Sequence, residues 1–311
     1  MIKVGIIGGA GYSAGELVRV LLYHPEVEIM FITSKSHPGK LVSEVHRDLI
    51  GETSLRFGDY SDVDVVFITA GHGKTKEILD SHDFGNTKII DLSADFRLDP
   101  SFEYGLPELA LPKGPRVANP GCFATAIQLG LLPMAKRQLL NNEVHIHAIT
   151  GSTGAGQSLA ATTHFTWRNS NVSVYKPFHH QHLAEISSTL NGLQEEHIVL
   201  NFIPVRGPFT RGIFASIYTD CEMELAEVIH TYESYYENAP FTFISTSEID
   251  LKQVVNTNKC LIHLDKFNSK LLITVAIDNL LKGASGQAVQ NMNILFGLDE
   301  RTGLKLKSNY F

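Results

Sequence analysis

The 311-residue chain predicts an α/β protein with a doubly wound parallel sheet, followed by a second α+β domain with a mixed or antiparallel sheet. Three observations carry that reading. Short, near-continuous apolar runs alternate with helix-like segments over the first 120 or so residues, as in strands buried on both faces. A glycine-rich turn stands between the first such run and the first helix. After about residue 145 the texture changes to closely spaced strands with few helices between them.

The elements follow in order. "KVGIIG" (3–8) is a strand, and "AGELVRVLLYH" (14–24) places Leu17, Val18, Leu21 and Leu22 on one helical face before Pro25 stops it. "VEIMFITS" (27–34), "VDVVFITAG" (63–71) and "TKIIDLS" (87–93) read as parallel strands. Beyond them, "EVHIHAITGS", "HIVLNFIPV", "RGIFASIYTD", "FTFIS", "CLIHLDKF" and "LLITVAIDN" are strand-like, with helices near 182–191 and 224–237. A last helix, "ASGQAVQNMNILFG" (284–297), is placed to return to the first domain. The expected division is therefore 1–145 plus 284–311 for the first domain and 146–283 for the second. No repeat, low-complexity tract or Pro/Ser-rich linker interrupts it.

Composition excludes several partners. The net charge is −7 and no Lys/Arg stripe runs along a helix, which argues against nucleic acid and anionic membranes. The N-terminus lacks the pattern of a signal peptide, and no apolar run approaches the ~20 residues of a bilayer span. Cysteines at 122, 221 and 260 form no CxxC pair and leave an odd thiol, as in a reducing compartment. A cytoplasmic protein is expected.

"GGAGYSAG" (8–15), the turn that includes Tyr12 and Ser13, suits a Rossmann-type dinucleotide site. Gly8 or Gly9 permits the tight turn, Gly11 lets the backbone approach a pyrophosphate, and Gly15 allows close helix–strand contact. The second strand ends "FITSKSHPGK", without the acid that binds an NAD ribose. Ser34, Lys35 and Ser36 instead offer two hydroxyls and a cation to a 2′-phosphate, so NADP(H) is the expected cofactor. The competing reading is a plain polar loop.

"RVANPGCFATA" reads as strand, turn, helix, with Pro120 and Gly121 making the turn. Cys122 then falls at the N-cap or first turn of a helix, where exposed N–H groups stabilise a thiolate and an oxyanion. A buried structural thiol is the alternative, and it is the reading for Cys221 and Cys260. A nucleophilic cysteine needs a proton-transfer partner. "YKPFHHQHLAEI" (175–186) supplies His179, His180 and His182, with Glu185 one helical turn past His182. A zinc site ranks below acid/base chemistry, because no cysteine or aspartate stands at ligand spacing; no metal is expected.

Further candidates lie in loops. "GSTGAGQS" (151–158), with Ser152 and Gly154, is placed to line a nicotinamide or to turn backbone N–H groups to a substrate. "SADFRL" (93–98) sets Asp95 and Arg97 at the C-terminal end of a parallel strand, where such sheets build their sites. Arg206 and Arg211, in "PVRGPFTRGI", join Arg97 as cations suited to a multiply anionic substrate.

Together these stretches resemble one family, the N-acetyl-γ-glutamyl-phosphate reductases. The matching segments include "GGAGYSAGELVRVLLYHPEVE", "SKSHPGKLVSEVH", "IIDLSADFRL", "YGLPE" (104–108), "ANPGCFATA", "GSTGAGQ", "YKPFHHQHLAEI" and "DNLLKGASGQAVQNMNILFGLDE", in the family's order from residue 5 to residue 300. The resemblance implies NADPH-dependent reductive dephosphorylation of an acyl phosphate in arginine biosynthesis. Cys122 would attack the γ-carbonyl and expel phosphate, and hydride would reduce the resulting thioester. The family's His-x-His falls on His180 and His182, with Glu185 to orient one of them. Asn119 joins the substrate residues, and analogy with other cysteine-dependent dehydrogenases points Asn279 at the nicotinamide carboxamide. A homodimer or homotetramer built through the second domain is implied.

Two stretches depart from the family pattern. Many members read "HLVPMxRG" where this chain has "NFIPVRGPFTRG", so a histidine is missing and Arg206 is gained beside a short insertion. "HFTWRNSNVSVY" (164–175) carries the only tryptophan, Trp167, next to Arg168. An extra arginine there suits the carboxylate of an N-succinyl group as an alternative to an acetyl. The rival readings are an aspartate-semialdehyde dehydrogenase, a reductase of a carrier-bound lysine precursor, and a non-catalytic dinucleotide-binding regulator.

Overall fold

The computed structural model describes residues 1–140 and 143–311. The chain separates into two compact units, Met1–Gly121 with Ala284–Lys305, and Cys122–Gly283 with Leu306–Phe311.

The first unit is built on β1 (Ile2–Ile7), α1 (Tyr12–Leu22), β2 (Val27–Thr33), α2 (Val42–Val45), β3 (Val65–Ile68), α3 (Thr75–Ser81), β4 (Lys88–Asp91), β5 (Glu103–Tyr104) and β6 (Arg116–Ala118). Its six strands are all parallel, in the order β2-β1-β3-β4-β6-β5. The apolar runs explain the arrangement: all four residues of β3 are buried, which requires cover on both faces. The crossover from β2 to β3 departs from a strand–helix–strand repeat. Only the four-residue α2 and a 3₁₀ turn at Arg47–Leu49 form there. Pro38 and Gly39 break any longer helix, and the chain returns through a bridge between Leu41 and Arg56. The C-terminal helix Gly286–Leu295 belongs to this unit, where Asn293 bonds His24 and Asn291 donates to the Gly105 carbonyl.

The second unit contains α4 (Cys122–Lys136), β7 (Glu143–Thr150), α5 (Phe165–Arg168), β8 (Ser173–Val174), α6 (Leu183–Leu193), β9 (Val199–Arg206), β10 (Ile213–Asp220), α7 (Leu225–Tyr236), β11 (Thr242–Ser245), β12 (Cys260–Phe267) and β13 (Lys270–Ile277). Its seven-stranded sheet runs β11-β12-β13-β10-β7-β9-β8. Pairing is antiparallel in the centre, while β7/β9 and β11/β12 are parallel, so the sheet is mixed. The β12–β13 hairpin turns through Asn268, whose φ of 54° is one that asparagine tolerates.

The division falls at Gly121/Cys122, earlier than the expected residue 145, because α4 belongs to the second sheet. Every residue from Phe123 to Ala135 is buried. At Gly130 the helix touches the sheet so closely that a Cβ would come within 2.9 Å of Ile217 on β10 and of Val275 on β13. Pro133 sits inside this helix and supplies no N–H to the carbonyl four residues before it, that of Leu129. Tyr236 of α7 fills the gap by donating its hydroxyl to the Leu129 carbonyl, and Tyr232 of the same helix donates to the neighbouring Gly130 carbonyl at 2.6 Å.

Tyr236→Phe leaves the Leu129 carbonyl without that donor in a dry environment. We expect a loss of about 1–3 kcal/mol, measurable by urea denaturation.

Candidate active site

The glycine turn of the first unit has the strain and the open space that a dinucleotide site needs. Gly8 lies at φ 86°, and a Cβ there would stand 2.5 Å from the Ala70 Cα, so only glycine fits. Gly9 N–H donates to the Thr33 carbonyl at 2.7 Å, tying the turn to the end of β2. Gly11 is the N-cap of α1, makes no side-chain cap, and has nothing within 4 Å of its missing Cβ. Uncapped N–H groups beside a space that a side chain would fill suit a pyrophosphate.

Gly15 plays a different part from the helix–strand contact expected of it. A Cβ there would strike the His46 ring at 2.6 Å, so the close approach is to a loop histidine. His46 Nε2 donates to the Gly9 carbonyl at 2.7 Å, which buttresses the turn. No motif in the sequence gives His46 this role. Its only signal was its place in the stretch "SKSHPGKLVSEVH".

Tyr12 is 41 % exposed, and the Ser13 carbonyl accepts the Ser285 hydroxyl at 2.7 Å. At the end of β2 the hydroxyls of Ser34 and Ser36 stand 3.3 Å apart, and Ser36 also meets His37 at 2.8 Å. Lys35 and Lys74 both approach Glu77, at 3.7 and 3.3 Å. Two hydroxyls among ammonium groups fit a 2′-phosphate, and no carboxylate occupies the position that would read a free ribose hydroxyl at residues 34–36.

Arg97 and Asn119 hold the turn that leads to the cysteine. Arg97, 9 % exposed, donates Nε to the Asn119 carbonyl at 3.0 Å and a terminal nitrogen to Leu92 at 3.4 Å. The Asn119 side chain donates to the Ala284 carbonyl at 3.1 Å and accepts from Asn291 at 3.2 Å. Asp95 accepts from the N–H groups of Gly73 and Thr75, capping the start of α3.

In the second unit Cys122 is the first residue of α4, half-buried, while Cys221 and Cys260 are buried. Gly283 packs directly on it, since a Cβ there would stand 2.8 Å from the Cys122 Cβ. Phe123, the next residue, is buried and meets the rings of His180 and His182 with centroids at 5.5 and 6.3 Å. The two imidazoles stand 4.6 Å apart, edge to face. Phe202 of β9 and Tyr175 complete the cage around His180, at 5.5 and 5.6 Å. Burial, reinforced by the neighbouring Lys176 and His179, pushes His180 down to about 4. Its Nδ1 accepts the His182 backbone N–H at 3.2 Å, so the proton of the neutral ring sits on Nε2. His182 is the N-cap of α6, and Glu185 lies buried in the first turn of that helix. His179 is exposed and bonds the Pro177 carbonyl, away from this group.

The loop after β7 is fastened from below. Asn279, 2 % exposed, accepts the Gly212 N–H at 2.7 Å and donates to the Thr153 hydroxyl at 3.0 Å. Ser152 N–H donates to the Phe209 carbonyl at 2.8 Å, and Gly154 is exposed above. Arg211 forks onto buried Asp278 at 3.1 and 3.0 Å. Arg206 instead lies flat on Tyr175, its guanidinium carbon 3.9 Å from the ring centre.

Comparison with known proteins agrees with this geometry. Residues 3–113 match the family model "Semialdehyde dehydrogenase, NAD binding domain", and residues 122–279 match "Semialdehyde dehydrogenase, dimerisation domain". The N-acetyl-gamma-glutamyl-phosphate reductases of Parabacteroides distasonis and Christiangramia forsetii are each 56 % identical, over 100 % of this chain and 100 % of theirs. The chain belongs to the N-acetyl-γ-glutamyl-phosphate reductase family. An aspartate semialdehyde dehydrogenase II structure from Vibrio cholerae shares the fold at a TM-score of 0.76 and 16 % identity, covering 96 % of this chain and 99 % of that one. Among the described residues no helix is long and apolar enough to cross a membrane, and no group of three or more His, Cys, Asp or Glu is placed to hold a metal ion.

The neutral His180 of this family member has a consequence for stability. Its folded pKa lies below the unfolded value, so the unfolded chain binds the extra proton first and stability rises with pH across that interval. The contribution is complete above about pH 6.5 and is lost as pH falls toward the folded value, a change of roughly 3 kcal/mol. His180→Asn should flatten that part of a denaturation-versus-pH curve; an unchanged slope would mean the ring is protonated in the fold.

Proposed function

We propose that the chain reduces N-acetyl-γ-glutamyl phosphate to N-acetylglutamate semialdehyde and phosphate with NADPH, a step of arginine biosynthesis, through a thioester on Cys122. The observation that carries this reading is Cys122 at the first position of a buried helix, with Phe123 holding two histidines beside it.

The first unit would hold NADPH through the turn at Gly8, Gly9, Gly11, Tyr12 and Ser13, with Ser34, Lys35 and Ser36 at the 2′-phosphate. When bound, the nicotinamide supplies the hydride that reduces the acyl group. Gly154 and Asn279 are assigned to the nicotinamide side, Asn279 through its remaining amide hydrogen.

The protein's own groups do the rest. The Cys122 thiolate attacks the γ-carbonyl carbon, a C–S bond forms, and the C–O bond to phosphate breaks. The N–H groups at the start of α4 stabilise both the thiolate and the oxyanion. His180, neutral with its hydrogen on Nε2, is suited to donate a hydrogen bond to the acyl oxygen. His182 is then the group that carries a transferred proton, with the Glu185 carboxylate one helical turn away to orient it. After reduction the oxygen reforms a carbonyl, the C–S bond breaks, and the thiolate returns. Arg97 and Asn119 act by fixing the turn before Cys122 and Arg211 by holding its loop on buried Asp278, whereas Ser152 is assigned to the substrate. A homodimer or homotetramer formed through the second unit, in the cytoplasm, completes the proposal; the match to a dimerisation-domain model supports the association.

The test runs the reaction backwards from N-acetylglutamate semialdehyde, NADP and phosphate, following NADPH absorbance. Phosphate-dependent reduction should appear and should fall on the order of 10³-fold or more in Cys122→Ser. His182→Asn should lower kcat by about 10²–10⁴-fold. Activity that survives Cys122→Ser would exclude the thioester.

A further inference from the structure

Two arginines of the second unit are brought together without an acid to balance them. Arg168 ends α5 and is only 9 % exposed, yet its Nε and one terminal nitrogen are buried with no hydrogen-bond partner among the described residues. Burial lowers its pKa, and the Arg206 charge lowers it further; only Tyr175 acts the other way. An unpartnered buried guanidinium facing a second guanidinium is costly.

The strand register explains how the group forms. Ser173 pairs directly with Arg206 across β8 and β9, and two residues on Tyr175 N–H donates to the Pro204 carbonyl. Ser173, Tyr175 and Arg206 therefore share one face of this edge ribbon. Phe202 lies four residues before Arg206, on the same face, and packs on Phe123 and His180. The Ser173 hydroxyl is also buried and unpartnered. Tyr175 links the group to the reaction centre: its ring meets His180 at 5.6 Å, and Cys122 acts on its phenol. With Arg206 stacked on the ring, the edge of its planar fork stays available for a bidentate acceptor.

We propose that Arg168, Arg206 and the Ser173 hydroxyl form a subsite beside Cys122 and His180 that binds a carboxylate of the acyl substrate. This rests on the reductase reading above and deepens it. The carboxylate is either the α-carboxylate of the glutamyl skeleton or the end of a dicarboxylic N-acyl group such as succinyl. Arg97 bonds backbone carbonyls and Arg211 is forked onto Asp278, so neither presents an acid-free fork of this kind.

The experiment follows alkylation of Cys122 by iodoacetamide in the full-length protein with NADP, titrated with N-acetylglutamate or N-succinylglutamate. Both wild-type and variant chains are used, Arg168→Met and Arg206→Gln. Protection by the carboxylate should need about 10–100-fold more ligand in the variants. Loss for both ligands assigns the subsite to the α-carboxylate; loss confined to N-succinylglutamate assigns it to the acyl end. Unchanged protection in both variants overturns the proposal. So does a reverse assay in which only the KM for phosphate rises, since the pair would then serve the leaving group. Arg168→Met should also hold or raise the Tm, because an apolar side chain replaces a buried unpartnered charge; a fall of several degrees would make Arg168 structural and overturn its role. Wild-type protein that is protected but turns over neither semialdehyde would fail the reductase reading and leave the subsite standing.

Discussion

The position of one sulfur depends on a helix buried on every side. α4 is buried from its second residue to its fourteenth, so Cys122, its first residue, is anchored by the core of the second unit. Gly130 sets the helix against β10 and β13, and Tyr236 of α7 holds the Leu129 carbonyl where Pro133 has opened the hydrogen-bond ladder, with Tyr232 on Gly130 beside it. A nucleophile at a helix N-terminus gains from the N–H groups only while the axis points at the reacting carbon. Burying that axis fixes the aim through packing that a one-methylene change would disturb. The proline that weakens the ladder and the Tyr236 hydroxyl that replaces the lost donor form one local arrangement, about two to three turns from the site.

Around that sulfur the electrostatics is divided by burial. His180 is held neutral by its apolar cage of Phe123, Phe202 and Tyr175, while His182 sits at a helix start with a buried carboxylate in the same turn. Two rings at 4.6 Å in different surroundings can separate the tasks of polarising an oxygen and carrying a proton. Arg168 follows the same logic in the opposite direction. It is a charge kept dry without a protein acid, a cost that a ligand anion would offset.

Much of this was legible in the residue order. The parallel strands of the first unit could be read because they are apolar on both faces, and the glycine turn because Gly8 must take a positive φ. Cys122 could be placed at a helix start because Pro120 and Gly121 cannot continue one. Contacts between distant residues were not legible. His46 supports the nucleotide turn from 37 residues away, a relation that no local periodicity contains. That Arg97 fixes the Asn119 carbonyl ahead of the cysteine was likewise not legible, because a linear chain does not say which carbonyl a strand-end arginine meets. The placement of α4 with the second unit was missed for a related reason: its all-round apolar surface says that it is buried, and not against which sheet.

Acyl transfer through Cys122 is tested most directly by mass spectrometry of the protein mixed with N-acetyl-γ-glutamyl phosphate in the absence of NADPH. A rapid acid quench followed by proteolysis should show the N-acetylglutamyl group on the peptide that contains Cys122, released by hydroxylamine as a thioester is. An unmodified Cys122 peptide, or the acyl group on Cys221 or Cys260, would exclude Cys122 as the nucleophile.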